Sequence, residues 1–192
     1  MSGRHSGPVL LGVAASGRRP SGSERLLVEA LEAAGGPRQV VRLAELSFRG
    51  CLGCRRCRSG APACVQEDDL TAVLRDTAAA RALVLATPVY YGYASGIFKS
   101  YLDRWYAFRD ADRALRVPEG RPALLIVTQG NPDPLAYART LGSLERVLKG
   151  YGLRPATLVA AGIEDAADLA RQPRLLDRAR EMGARLAAPP AP

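Results

Sequence analysis

Cys51, Cys54, Cys57 and Cys64 follow the spacing C-x2-C-x2-C-x6-C, and the 192-residue chain has no other cysteine. Thiolate sulfur binds soft metals and clusters, attacks electrophiles and disulfides, and forms cross-links. Three cysteines two residues apart resemble the first three ligands of ferredoxin runs, which a short loop can fold around one [4Fe–4S] cube, with Cys64 as a local fourth ligand. Four-cysteine zinc sites more often use two C-x2-C knuckles on separate strands, which this run does not repeat. In a reducing compartment, clustered thiols point to metal or redox chemistry before structural disulfides. Arg55, Arg56 and Arg58 sit among them; positive charge favours thiolate, as metal ligand or as nucleophile, and offsets the charge of a thiolate-held cluster. A cluster on all four cysteines, and cluster-free redox thiols drawn from Cys51, Cys54 and Cys57, both stay open.

Two further stretches carry chemistry. "SGRRPSGSE" offers the hydroxyls of Ser16, Ser21 and Ser23, the charges of Arg18 and Arg19, and the free N–H groups of the helix that follows. That combination is an anion site. It is neither the G-x-G-x-x-G dinucleotide fingerprint nor the P-loop. "TPVYYG" puts Pro88, Val89, Tyr90, Tyr91 and Gly92 at the end of a strand, where aromatic faces and backbone N–H groups suit a flat ring with polar edges. "TQGNPDP" adds Thr128, Gln129 and Gly130. A phosphate site beside a flat-ring site suggests a mononucleotide such as FMN.

These loops need a scaffold, and the apolar periodicity supplies one. Strands are predicted at 8–16, 38–46, 81–92, 121–134 and 154–163, with Pro88 stopping the third. Helices are predicted at 23–36 with Ser23 as N-cap, at 67–80 with acidic residues in the first turn, and at 94–108, 135–152 and 164–188, the last interrupted at Pro173. Alternating strands and helices give a parallel sheet covered on both faces. Ligands then bind beyond the carboxyl ends of the strands, so loops 15–23, 44–66, 87–94 and 128–134 hold the site. We expect one domain over 1–192, with a cysteine-rich loop at 47–66 and a frayed tail at 189–192.

The net charge of +8 comes almost wholly from arginine, since only Lys99 and Lys149 among 27 basic residues are lysines. No basic stripe interleaved with aromatics marks a nucleic-acid surface. No apolar run approaches the roughly 20 residues of a membrane span. The short apolar stretch from Pro8 reads as a first strand rather than a targeting segment, and the expected location is cytoplasmic.

Three motifs together resemble the flavodoxin-like NAD(P)H-dependent FMN reductases, and within them the iron–sulfur flavoprotein-like branch: "ASGRRPSGS", "CLGCRRCRSGAPACVQEDD" and "TPVYYGYASGIFKSYLDR". The resemblance implies a three-layer α/β sandwich with a five-stranded parallel sheet of order 2-1-3-4-5. It implies FMN, its phosphate held by Ser16, Arg18, Ser21, Gly22 and Ser23. Pro88, Val89, Tyr90, Tyr91 and Gly92 would lie along the isoalloxazine, with Thr128, Gln129 and Gly130 alongside. The first loop departs from the family pattern at Ala15 and Gly22, where Gly and Asn are usual; the second change removes a side-chain amide. The implied reaction passes hydride from NAD(P)H to flavin N5 and then electrons to a small-molecule acceptor such as a quinone or a flavin, with a [4Fe–4S] cluster on Cys51, Cys54, Cys57 and Cys64 as a relay. The alternatives are a flavodoxin-type electron carrier and a flavin-linked thiol/disulfide enzyme. No acid–base catalyst is named, and the only histidine, His5, lies near the N-terminus. The resemblance also implies a homodimer or homotetramer, with Tyr90, Tyr91, Tyr93, Trp105 and Tyr106 at the contact. Lys99, Asp103 and Arg104 match the pattern and read as a helix-surface or interface ion pair.

Overall fold

The first strand, β1 (Leu10–Ala14), is buried along its whole length, which a strand achieves only when helices cover both faces of its sheet. The computed structural model describes residues 10–186; His5, the first residues of the expected 8–16 strand and the tail at 189–192 lie outside them. Strands β2 (Arg38–Arg42), β3 (Ala82–Tyr90), β5 (Arg121–Gln129) and β6 (Leu153–Ala161) run parallel to β1, side by side in the order β2-β1-β3-β5-β6. Counting these long strands alone, the order is 2-1-3-4-5, the expected flavodoxin-like arrangement. Its direction reverses at β1, which places a switch-point crevice beyond the ends of β1 and β3.

Side chains alternate across the sheet. Leu11, Val13, Leu83, Leu85, Leu125 and Val127 pack against α2 (Leu70–Ala79), α3 (Gly96–Arg104) and α4 (Ala138–Gly150). Leu10, Ala14, Val84, Ala86, Leu124 and Ile126 pack against α1 (Gly22–Ala34) and α5 (Pro173–Ala184). No helix among the described residues is long and apolar enough to cross a membrane.

Several boundaries differ from expectation for physical reasons. The sheet has a sixth strand, β4 (Tyr93–Ala94), too short to show a period. It pairs antiparallel with the end of β3, Val89 opposite Ala94 and Tyr90 opposite Tyr93. This hairpin carries β3 past Pro88, which therefore does not stop it. The turn places both Tyr91 (φ 49°) and Gly92 (φ 82°) in the left-handed region, as a two-residue primed hairpin requires. The N-cap of α1 is Ser21 rather than Ser23: Ser21 is extended and its hydroxyl accepts the Glu24 N–H at 3.5 Å, whereas Ser23 is inside the helix and buried. Pro173 does not interrupt a helix but opens one, since its missing N–H is an orphan at that position anyway. Glu67, Asp68 and Asp69 precede α2 instead of forming its first turn.

Candidate functional site

The chain leaves β1 at Ala15 and turns through Ser16–Pro20 into α1. The Arg18 N–H donates to Ser16 Oγ at 3.1 Å, and Ser21 and Ser23 share a hydroxyl–hydroxyl bond of 3.0 Å. Across from this turn stand the ends of β3 and β5. The three segments enclose a cleft of about 310 Å³ lined by Ser16, Arg18, Ser21, Gly22, Pro88, Val89, Tyr90, Thr128, Gln129 and Gly130. Those residues were all expected. Three others are not brought in: Ser23 is buried in α1, Tyr91 projects wholly into solvent, and Gly92 forms the hairpin turn.

A fourth wall was not anticipated. Ile163, Glu164 and Asp165, just past β6, close the cleft together with Pro20. Arg18 Nη1 donates to the Glu164 carbonyl at 2.8 Å. The Asp168 carboxylate accepts the N–H groups of Glu164 and Asp165, at 2.8 and 3.1 Å, and these bonds hold its pKa below the usual carboxylate range. No motif announces this wall, because tertiary contact brings it in. One sequence signal does bear on it: Gly22. A Cβ there would lie 2.7 Å from Ile163 Cγ2 and 3.3 Å from the Asp165 carbonyl, so the departure from the family's Asn lets the wall close onto α1.

One cleft side chain, Gln129, is pinned at its nitrogen and left unpartnered at its oxygen. Gln129 Nε2 donates to the Asn131 and Asp133 carbonyls at 3.0 and 2.7 Å, which fixes the amide's orientation. Its Oε1 is buried without a hydrogen-bond partner among the described residues, a costly state for an acceptor unless a ligand N–H or O–H meets it. Ser95, the N-cap of α3, donates from Oγ to the Ala15 carbonyl at 2.7 Å and accepts the Phe98 N–H.

The four cysteines line a second, mostly apolar hollow of about 20 Å³, with Leu52, Gln66, Arg104 and Tyr106 also on its walls. It shares no lining residue with the cleft. All four are free thiols, Cys51 and Cys54 exposed, Cys64 half-buried and Cys57 buried. Burial, and then the neighbouring Cys64, Cys51 and Cys54, push the Cys57 thiol pKa up. Among the described residues no three His, Cys, Asp or Glu side chains are arranged to hold a metal ion.

Arg104 corrects an expectation. Lys99 and Asp103 do form an exposed ion pair at 2.5 Å, but Arg104 is turned inward and only 1% exposed. Its Nη1 meets Asp68 Oδ2 at 2.7 Å and the Arg49 carbonyl at 2.9 Å; its Nη2 meets Asp68 Oδ1 at 3.2 Å and the Gln66 carbonyl at 3.3 Å. Burial alone would raise the Asp68 pKa, yet bonds from Arg104 and from the Arg49 and Leu70 N–H groups hold it below the usual range. Trp105 is likewise buried, which removes it from the expected exposed aromatic set.

Two iron–sulfur flavoproteins of Archaeoglobus fulgidus are similar to the chain. One is 31% identical over 105 residues, covering 55% of this chain and 50% of the relative; the other is 27% identical over 148 residues, covering 76% and 64%. The chain thus spans from half to just under two thirds of these relatives. An NAD(P)H:quinone oxidoreductase from Methanothermobacter marburgensis superimposes with a TM-score of 0.76 at 22% identity, covering 97% of this chain and all of the other, which shows the shared fold. The sequence model of one family, described as NADPH-dependent FMN reductase, matches residues 8–161. That match takes in the turn at 16–20, the cysteine loop, the tyrosine hairpin and the last sheet strand, and the chain belongs to the NADPH-dependent FMN reductase family.

Proposed function

We propose that the protein is an FMN-dependent NAD(P)H oxidoreductase that delivers electrons to a small-molecule acceptor. The observation that carries this reading is the cleft at the switch point, where a turn rich in serine and arginine faces the ends of β3 and β5. The residues fit FMN. Ser16, Arg18, Ser21 and Gly22, with the first N–H groups of α1, would hold the phosphate. Glu164 and Asp165 offer acceptors to ribityl hydroxyls. Pro88, Val89 and Tyr90 would flank the ring, and the unpartnered Gln129 Oε1 would accept from an N–H on its edge. Bound there, FMN would take hydride from the nicotinamide and pass electrons onward. The protein's part is to seat the ring, keep one face open to the second substrate and exclude alternative poses.

The cysteine loop supports a second cofactor within the same reading. Four cysteines around one hollow are the soft donor type of a [4Fe–4S] cluster, and Cys51, Cys54, Cys57 and Cys64 would be its ligands once the loop drew their sulfurs together, an arrangement they do not have here. The names of the similar iron–sulfur flavoproteins point the same way. Tyr90, Tyr91 and Tyr106 are exposed and would be covered in a homo-oligomer.

The test is anaerobic purification with flavin, iron and sulfide analysis, followed by mixing with NADH and NADPH. Yellow protein whose flavin bleaches on adding a nicotinamide is the expected result. Colourless protein that also rejects added FMN would sink the reading. Bound flavin that neither nicotinamide bleaches would make it an electron carrier.

A further inference from the structure

The cysteine loop is closed at its base by a ladder of contacts between its two arms. The Ser47 N–H donates to Asp69 Oδ2 at 2.7 Å, and the Asp69 N–H returns to the Ser47 carbonyl at 3.4 Å. One step inward, the Arg49 N–H donates to Asp68 Oδ2 at 3.3 Å. One step further, Gln66 Nε2 donates to the Gly50 carbonyl at 3.2 Å. The two acidic residues after the last cysteine thus act as staples. Only one backbone–backbone bond in this ladder joins the arms, and they form no strand, so the closure rests mainly on side chains.

Arg104 locks that ladder from outside. Its guanidinium takes the Arg49 carbonyl on one arm, and the Gln66 carbonyl and both oxygens of Asp68 on the other. A planar fork with several donors is the group that can bridge four acceptors at once; a lysine ammonium cannot. The same guanidinium lines the cysteine hollow and lies beside Cys64. Arg104 is also the last residue of α3, whose N-cap Ser95 is bonded to Ala15 beside the cleft. Nine helical residues, about 14 Å long, therefore join the two sites as one rigid piece.

We propose that Arg104 is the positioning residue of the cysteine loop: it clamps both arms to the end of α3, keeps the four cysteines around one hollow, and fixes that hollow relative to the flavin cleft. The inference deepens the proposed function, since it concerns the site read there as a cluster or redox-thiol site. It stands on the loop geometry, whether or not the thiols carry iron.

The test uses metal-free, reduced full-length protein and site-resolved alkylation by iodoacetamide, read by mass spectrometry. In the wild type, Cys51 and Cys54 are expected to label fast and Cys57 slowly. In Arg104→Gln, Cys57 labelling is expected to rise about tenfold or more, the scale set by losing a charged hydrogen-bond pair from a local opening. Arg104→Lys should recover only part of the protection, and Asp68→Asn should mimic Arg104→Gln. Hydrogen exchange should quicken over 47–69 but not in β1 or β3, and FMN binding should persist. Unchanged Cys57 labelling in both Arg104→Gln and Asp68→Asn would overturn the proposal. Faster exchange throughout the sheet in both variants would also overturn it, because the pair would then serve the whole fold rather than the loop. Iron analysis of reconstituted wild type is a separate arm: absence of iron there removes the cluster reading and leaves the clamp standing.

Discussion

Ser95 Oγ donates to the Ala15 carbonyl across 2.7 Å, with both residues buried. This one bond joins the N-cap of α3 to the residue that opens the turn lining the cleft. Ser95 is also the helix N-cap, and its N–H meets Thr87 Oγ1 at 3.1 Å at the end of β3. Removing the hydroxyl strips the cap and leaves the Ala15 carbonyl buried and without this donor. Ser95→Ala should cost about 1–3 kcal/mol in urea unfolding, and FMN titration by fluorescence should show weaker binding. Ser95→Thr should retain most of both. Equal affinity in the alanine variant would mean that the loop is shaped without this bond.

Arg18 lies at the cleft with its backbone N–H on Ser16 and its side chain on the Glu164 carbonyl. A guanidinium there favours a phosphate, and it offers nothing comparable to a ligand that ends in a hydroxyl. Arg18→Ala should therefore weaken FMN by about tenfold, the scale of one charge-assisted contact, while riboflavin affinity changes little. The comparison is a pair of titrations on each protein. Parallel losses for both ligands would assign Arg18 to shaping the fourth wall rather than to the phosphate.

Much of this site was legible in the sequence, for identifiable reasons. β1, β3 and β5 are almost wholly buried, so each reads as an apolar run, and the loops that follow them can be located by counting. Serine, arginine and glycine in a turn before a helix single out that turn by residue type alone, and the structure places it on the cleft. What the sequence hid depends on side-chain direction and distant contact. Arg104 sits beside two surface residues, Lys99 and Asp103, and a periodic reading groups it with them; a quarter-turn of helix sends it inward to Asp68, 36 positions away. The wall at 163–165 reaches the cleft only because β6 lies two strands from β3 and Arg18 grips its backbone. Ser21 displaced Ser23 as the cap because both are good caps and geometry chose between them.

Tyr91 is fully exposed with φ at 49°, a conformation that costs a non-glycine residue energy. Its ring makes no core contact that would repay the strain. Tyr91→Gly should leave stability unchanged or slightly raised, while Gly92→Val, at φ 82°, should lower it by about 1–2 kcal/mol. Thermal unfolding distinguishes them. If Tyr91→Gly also slows turnover of a bulky acceptor with FMN still bound, the ring serves the open face of the flavin. Clear destabilisation by Tyr91→Gly would show that the ring packs in solution.

Asp68 supplies a pH signature for the base of the cysteine loop. Its folded pKa lies below the ordinary carboxylate value of about 3.9, because Arg104 and two backbone N–H groups outweigh the effect of burial. For a depressed acid, the linked stability is fully present above the unfolded pKa and is lost as pH falls through the folded one. Wild type should therefore exceed Asp68→Asn in stability by a constant margin from about pH 6 down to about pH 5. Below about pH 4 the margin should shrink, as protonation of Asp68 makes the wild type resemble the amide. Urea unfolding of both proteins across that range measures the difference directly, and other carboxylates cancel because both chains share them. A margin that stays flat into the acid range would mean that Asp68 is not held ionised by Arg104. A margin that widens there would reverse the sign of the linkage.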